Sequence, residues 1–399
     1  MNSSVKISLV CAAILSASSY ASERIEIPSS FNPVGSGARA LGLGGSFIAM
    51  ADDATAASWN PGALTQLRTA ELAIAYSYTS LTESNTYTEY PQLSGDNTVD
   101  SNDINYLAYS VPCGAETCGK NMVFSINYQR LYDLSRQWND QRDYDDTSFL
   151  SQRKETNQYQ SQGSLSAIGV AYAIQVTDNF SIGATANFWL DEGLNDEWTL
   201  SGNGREVGIV GVEPYMEPYE ITIQTDLKNE FEGVNFNIGA LWQIFQKDET
   251  KLTLGLVYKS GFTADITQVL RLQADNVFPD DPQSNTHFDV TETSVQELDM
   301  PQSFGVGLAY QFSDNFTASV DIYQTSWSDF VLTDADGVER SPLSNQLIED
   351  GGIDNTVQIR VGAEYRIISQ EFGDNFIIPI RAGAFIDPAA TEGGSDNSY

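Results

Sequence analysis

Basic residues are scarce in this chain: 20 Lys plus Arg stand against 54 Asp plus Glu, a formal net charge of −34 over 399 residues. Phosphate backbones are bound by clustered Lys and Arg, so nucleic acid is excluded as a partner. Histidine is rarer still, His287 being the only one. A zinc centre therefore lacks ligands, and a Ser-His-Asp triad has one available base, set in an acidic stretch. No metal or cofactor is expected. Long apolar runs are also missing. Beyond the first 21 residues no stretch of 18 apolar residues occurs, which excludes helical membrane spans. It does not exclude a β-barrel, whose spans alternate and average to a mildly polar composition.

Cysteine is limited to Cys11, Cys113 and Cys118. Residues 1–21 read as a secretory signal: Lys6 supplies the positive region, "ISLVCAAIL" the short apolar core, and Ser19-Tyr20-Ala21 a small-x-small cleavage site. Cys11 lies inside that apolar core, with too little hydrophobic sequence before it for a lipidation site. Cys113 and Cys118, in "CGAETCGK", remain in the exported chain. Two cysteines around a Gly in an oxidising compartment suggest a disulfide closing a turn, with free thiols as the alternative.

What is present in abundance is alternation. In "LTLGLVYK", Leu252, Leu254, Leu256 and Tyr258 share one face, and Thr253, Gly255, Val257 and Lys259 the other. In "VQIRVGAEYRI" the apolar row Val357, Ile359, Val361, Ala363, Tyr365 and Ile367 opposes Gln358, Arg360, Gly362, Glu364 and Arg366. Period two over about ten residues is a β-strand with one apolar face. Eleven such segments begin near Glu71, Ile104, Met122, Leu165, Phe180, Phe231, Leu252, Phe304, Phe316, Val357 and Phe376. Their length exceeds the usual five or six residues of a soluble strand and suits a tilted bilayer crossing.

The connections alternate in length. The short ones are the Cys113–Cys118 turn, "VTDN", "FQKDET", "FSDN" and "SQEFGDN"; the long ones cover roughly 81–102, 135–162, 191–229, 273–302 and 332–355. Short periplasmic turns and long outer loops are the rhythm of an outer-membrane barrel. Three short turns repeat Asp-Asn-Phe, at Asp178, Asp314 and Asp374; Asp-Asn makes the reversal and Phe falls where an outward aromatic meets the interface. The acidic runs "NDQRDYDD", "DEGLNDE" and "NVFPDDPQ" then belong to solvated outer loops. Asp334-Ala335-Asp336-Gly337 has part of a calcium-loop pattern without its remaining ligands and reads as a hairpin tip. The expected fold is all-β, a transmembrane antiparallel β-barrel over 69–399 in the bacterial outer membrane, in contact with lipid and lipopolysaccharide and monomeric.

Residues 22–68 precede the first strand and are rich in Gly, Ala and turn signals. A wide barrel is otherwise an open pore, and a compact small-residue segment folded into the lumen closes it. The phrase "GARALGLGGSFIAMADDATAASWNPGAL" resembles the N-terminal plug of the long-chain fatty-acid transporter family of outer-membrane barrels, the FadL/TodX type. The matching positions are Gly42, Gly44, Gly45, Ala51, Asp52, Asp53, Ala54, Asn60 and Pro61; Gly62-Ala63 departs from the Ala that follows Pro in many members. "IPIRAGAFIDP", residues 378–388, resembles a recurring late strand of the family.

The resemblance implies a 14-stranded barrel with an N-terminal hatch and passive uptake of hydrophobic small molecules such as long-chain fatty acids or hydrocarbons. Eleven strands are read, and the residues up to "EGGSDNSY" lack a closing strand, so about three strands are expected beyond residue 399; the alternative is strands merged inside 191–229 or 273–302, where "YEITIQTDL" and "THFDVTETSVQEL" alternate as further strands or as extensions above the membrane. Candidate ligand contacts are aromatics of the long loops, Tyr132, Trp138, Phe149, Tyr215, Tyr219 and Phe278, and the lumen cations Arg360, Arg366 and Arg381, which either attract a carboxylate or pair with Glu364, Asp52 and Asp53. Asp52 and Asp53 also suit the start of a short helix through Ala54–Trp59, which Asn60 before Pro61 ends. Two other classes stay open: a plug-bearing barrel that docks proteins as a secretion accessory, and a soluble secreted enzyme.

Overall fold

The computed structural model describes residues 25, 27, 33–85, 94–144, 147, 149–191, 196–369 and 376–392. The proposed signal segment and the third Asp-Asn turn lie outside them. Seventeen strands form one antiparallel sheet. In chain order they are β1 (Glu71–Asn85), β2 (Gly95–Cys113), β3 (Met122–Asp133), β4 (Arg136–Asp143), β5 (Leu150–Thr177) and β6 (Phe180–Trp189). There follow β7 (Glu197–Val212), β8 (Tyr215–Lys247), β9 (Thr250–Lys259), β10 (Phe262–Val277), β11 (Thr286–Met300) and β12 (Ser303–Gln311). The last five are β13 (Phe316–Thr325), β14 (Val331–Thr333), β15 (Glu339–Arg340), β16 (Thr356–Ser369) and β17 (Phe376–Ile386).

At the level of the apolar belt the order is β1-β2-β3-β5-β6-β8-β9-β12-β13-β16-β17, eleven lanes, each antiparallel to the next. These coincide with the eleven periodic segments of the sequence. The side that faces out is the apolar one. On β16, Ile359 is 44% exposed while its neighbour Arg360 is 6% exposed. On β12, Phe304, Val306 and Leu308 point outward, and Gly305, Gly307 and Ala309 are buried. A soluble sandwich has the reverse arrangement, and so continuous an apolar exterior belongs in hydrocarbon. Lanes alternate in direction, so β1 and β17 run the same way; among the described residues β1 pairs only with β2, and β17 only with β16.

Most of what was read as long loops is strand; over 219–227 and 286–298 strand extensions above the membrane had been left open, and elsewhere this corrects the sequence reading. β4, β7, β10, β11, β14 and β15, with the upper parts of β2, β5 and β8, carry the sheet well past the belt. Along β5, for example, residues 154–160 pair with β4 on one side and β7 on the other. Above the bilayer the outward face meets water in place of lipid, so it turns polar and the clear apolar/polar alternation weakens while backbone pairing continues. The upper strands prolong the lanes below them, with breaks: β6 resumes as β7 after 190–196, β9 as β10 after 260–261, β11 passes into β12 across 301–302, and β13 into β14 across 326–330.

The belt generates a direct test. Leu256 on β9 faces outward, so Leu256→Arg should cost about 2–4 kcal/mol in a urea titration of the protein folded into lipid vesicles. The inward change Thr253→Ser should cost less than about 1 kcal/mol.

Candidate functional site

Residues 36–67 lie inside the curved sheet, buried against lumen-facing residues on opposite sides of it. The segment has little regular structure: α1 (Ala38–Gly42), α2 (Ala56–Trp59) and a 3-10 turn, Pro61–Gln66. Leu43, Phe47, Ile48, Trp59 and Leu64 form its core with Val123, Val257 and Tyr323 of the wall. Backbone meets backbone at glycines. A Cβ on Gly239 would overlap Asn60 Oδ1, and one on Gly255 would come within 2.7 Å of the Ile48 carbonyl oxygen. Gly183, Gly305, Gly307, Gly362 and Gly383 line the same contact. The small inward residues of the strand pattern are thus the space that residues 43–62 occupy.

Many of the segment's polar groups are answered by its own side chains, as burial requires. Asn60 Nδ2 donates to the Ile48 carbonyl (2.9 Å) and to that of Ala240 (3.0 Å), and its Oδ1 accepts from Gly62 N (3.1 Å). Pro61 then opens the 3-10 turn, where its missing N–H costs nothing. Asp53 Oδ1 accepts from Thr55 N (2.9 Å) ahead of α2, while Asp52 pairs with Arg39. Gly44 and Gly45 have positive φ, 65° and 76°, a turn only glycine makes without strain. Gly42 sits against Arg381, at 3.4 Å from a would-be Cβ.

Above this segment lies a small, partly open cavity lined by Leu131, Tyr132, Trp189, Phe262, Met300 and Trp327, with Asn187, Asn235, Asn237, Lys259, Ser303 and Thr325 among its polar residues. Height follows from strand rise: Asn237 is two residues above Gly239, about 7 Å, and Lys259 four above Gly255, about 13 Å. The apolar part is an aromatic wall. Tyr132 stacks on Trp189 (6.2 Å between centroids) and Trp189 on Phe262 (5.8 Å), with Phe231 edge-on to both Trp189 and Phe262. Ile25 and Ile27 are buried in the same cluster. The floor is polar: Lys259 stands opposite both Asn237 and Ser303 in register, and Asn237 Oδ1 has no hydrogen-bond partner among the described residues.

The lane breaks build this cavity. Asp196, immediately ahead of β7, accepts from Ser166 N (2.5 Å) and Leu190 N (3.1 Å), and its carbonyl accepts from Phe231 N (2.9 Å). It so fastens three lanes where the ladder is interrupted. Burial pushes its carboxyl up to about 7, against the pull of those N–H groups.

Of the residues singled out in the sequence, Tyr132 lines the cavity. Phe149, Tyr219 and Phe278 meet in a separate apolar cluster on the outer extension with Val210 and Ile221. Trp138 stacks on Tyr159 of the next strand, and Tyr215 is exposed at the tip of the β7–β8 hairpin. Arg360 and Arg366 are engaged lower down. Arg360 donates to the Gly44 carbonyl (3.2 Å) and pairs with Asp387 (2.8 Å); Arg366 lies 4.0 Å from Glu364. Cys113 and Cys118 are joined in a disulfide at the turn between β2 and β3. The sequence reading missed Trp189, Phe262, Met300 and Trp327 as cavity residues. The signals were Ser260-Gly261 and Pro301-Gln302, which interrupt otherwise continuous strands.

A family model described as outer membrane protein transport protein (OMPP1/FadL/TodX) matches residues 30–398. Among solved structures, the chain resembles a Pseudomonas aeruginosa FadL homologue at 15% identity, covering 93% of this chain and 82% of that one with a TM-score of 0.54. It also resembles the Pseudomonas putida toluene transporter TodX at 12% identity, covering 92% and 84%, with a TM-score of 0.51. At such identities the likeness speaks for the fold. No curated protein sequence matches the chain.

The glycine contact predicts its own disruption. Gly239→Val should displace Asn60 and raise amide hydrogen exchange across residues 43–64 by about tenfold or more, with exchange of the wall strands unchanged. Mass spectrometry of the folded protein reads both.

Proposed function

The chain belongs to the OMPP1/FadL/TodX family of outer membrane transport proteins, and from that premise we propose that it lets hydrophobic molecules with a polar end cross the outer membrane passively. Long-chain fatty acids are the class that fits best, with hydrocarbons next. The observation that carries this reading is the cavity: an aromatic and aliphatic wall above a floor holding Lys259 and the unpartnered Asn237 Oδ1. Each methylene removed from water is worth about 0.8 kcal/mol, so a partly enclosed acyl chain binds without any charge contact. A carboxylate then finds a hydrogen-bond donor in the Lys259 amine, and a hydroxyl finds an acceptor in Asn237.

Residues 36–67 act in this reading as the plug that keeps the lumen closed to water-soluble compounds. The chemistry asked of the protein is binding and passage rather than catalysis, performed by a single chain surrounded by lipid and lipopolysaccharide. Solvated acidic strands on the outer side, the Phe149–Tyr219–Phe278 cluster and the cavity then lie along one inward route. The toluene transporter in the comparison is named for a ligand with no polar end, and such a ligand makes no use of the floor.

Lys259→Met separates the two ligand classes. In cells expressing the protein, uptake of laurate should fall about tenfold, the worth of one charge-assisted hydrogen bond, while toluene entry stays within about twofold. Trp189→Ala should lower both. Equal loss of both ligands in Lys259→Met would remove the fatty-acid assignment.

A further inference from the structure

The plug is tied to the wall by two different chemistries on its two sides. Residues 54–66 are held chiefly by neutral hydrogen bonds, four from wall donors to plug carbonyls and one from the plug's own Asn60 to a wall carbonyl. Tyr106 Oη donates to Ala54 (2.9 Å), Thr185 Oγ1 to Ala57 (2.8 Å), Asn60 bridges to Ala240, Ser181 Oγ donates to Gly62 (2.8 Å) and Asn121 Nδ2 to Thr65 (2.7 Å). One carboxylate joins them: Glu71 accepts from Ala54 N (3.1 Å).

Residues 39–48 are held chiefly by charged groups. Asp321 Oδ2 accepts from Phe47 N (2.6 Å) and Ile48 N (2.9 Å). Its other oxygen has no hydrogen-bond partner among the described residues and fills the space where Gly307, opposite it in register, carries no side chain. Arg360 donates to Gly44 O (3.2 Å). Glu364 accepts from Arg39 (3.1 Å) and from Arg381 (2.7 Å). Among the described residues, the neutral tie on this side is Ser319 Oγ to Ser46 O (3.1 Å). Asn60, bonded to both Ile48 O and Ala240 O, stands where the two sides meet.

We infer that the plug opens as a hinged arm: residues 54–66 stay seated on β5, β6 and β8, Asn60 is the pivot, and residues 39–48 swing once Asp321 lets go of the Phe47 and Ile48 amides. A buried carboxylate is an unusual choice for a permanent tie. It is fully buried with one oxygen unanswered, so part of the cost of desolvating it is never recovered, and its hold on the arm is a small difference between large terms. A neutral tie of the kind used on the other side has no such fragility; each contributes about 0.5–1.5 kcal/mol and independently of the rest. Asp321 is therefore a positioning residue for the closed state, acting through the plug and not on a transported molecule. The inference rests on reading the lumen as a passage.

Planar-bilayer conductance of the full-length folded protein tests the latch without any transported ligand. Asp321→Ala should raise the polar-solute conductance about tenfold, the ratio that about 1.4 kcal/mol of lost closure represents. Asp321→Asn should give a smaller rise. The Ser181→Ala/Thr185→Ala double variant on the seated side should stay within about twofold of the unsubstituted protein. Conductance of Asp321→Ala equal to that of the unsubstituted protein overturns the inference, as does an equal rise in the seated-side variant. Cross-links keep the question decidable should Asp321→Ala fail to assemble. An oxidised Ser46→Cys/Ser319→Cys pair should block laurate uptake reversibly, and an Ala57→Cys/Thr185→Cys pair should leave it intact; the opposite pattern, or block by both, overturns the hinge. Absence of laurate and toluene uptake by the unsubstituted protein removes the transport reading, while the conductance series still decides the latch.

Discussion

A backbone N–H or C=O that faces hydrocarbon has no water to bond with, and every lane of this wall is organised by that constraint. Ladder pairing satisfies the backbone groups across the belt, which frees the outward side chains to be apolar and the inward ones to be small. The same constraint reappears inside. The plug is short of regular structure, so its carbonyls and amides need partners from the lumen or from its own Asn60, and the lumen supplies Ser181, Thr185, Ser319 and Asp321. Glycines at 183, 239, 255, 307, 362 and 383 let two backbones come close enough for those bonds. Exterior grease, interior polarity and the plug's position are consequences of one rule.

Much of this was legible in the sequence because lipid imposes a period. "VQIRVGAEYRI" states both faces of β16 residue by residue, and the exposed row Val357, Ile359 and Val361 lies where the alternation put it. All eleven belt lanes announced themselves in the same way. The "GARALGLGG…NPGAL" phrase also pointed to a lumen segment, through small residues and turn signals rather than through a period.

Where lipid stops, the signal stops. The upper half of β5, with Lys154, Glu155, Thr156 and Asn157 in succession, looks like a loop by hydropathy, although it is paired on both edges. The cavity was harder still. Its walls come from six lanes, four of them interrupted: after Trp189 and at 260–261, 301–302 and 326–330. No local pattern records that Trp189, Phe262 and Trp327 converge, because their meeting depends on register between strands far apart in the chain. Arg360 shows a complementary case, in which the sequence left a ligand carboxylate and an ion pair both open. A buried lumen cation invites a ligand carboxylate, but only the fold reveals that its guanidinium reaches the Gly44 carbonyl and Asp387.

The phase of the alternation in the membrane is the most direct point of attack. Nitroxide spin labels placed one at a time at residues 357–363 of β16, in the protein folded into lipid bilayers, report collision with oxygen dissolved in the hydrocarbon. Accessibility should oscillate with a period of two, high at 357, 359, 361 and low at 358, 360, 362, where the plug and the lumen side chains lie. An oscillation of opposite phase, or none, would mean that these stripes do not face lipid, and the plugged-barrel description would fall with it.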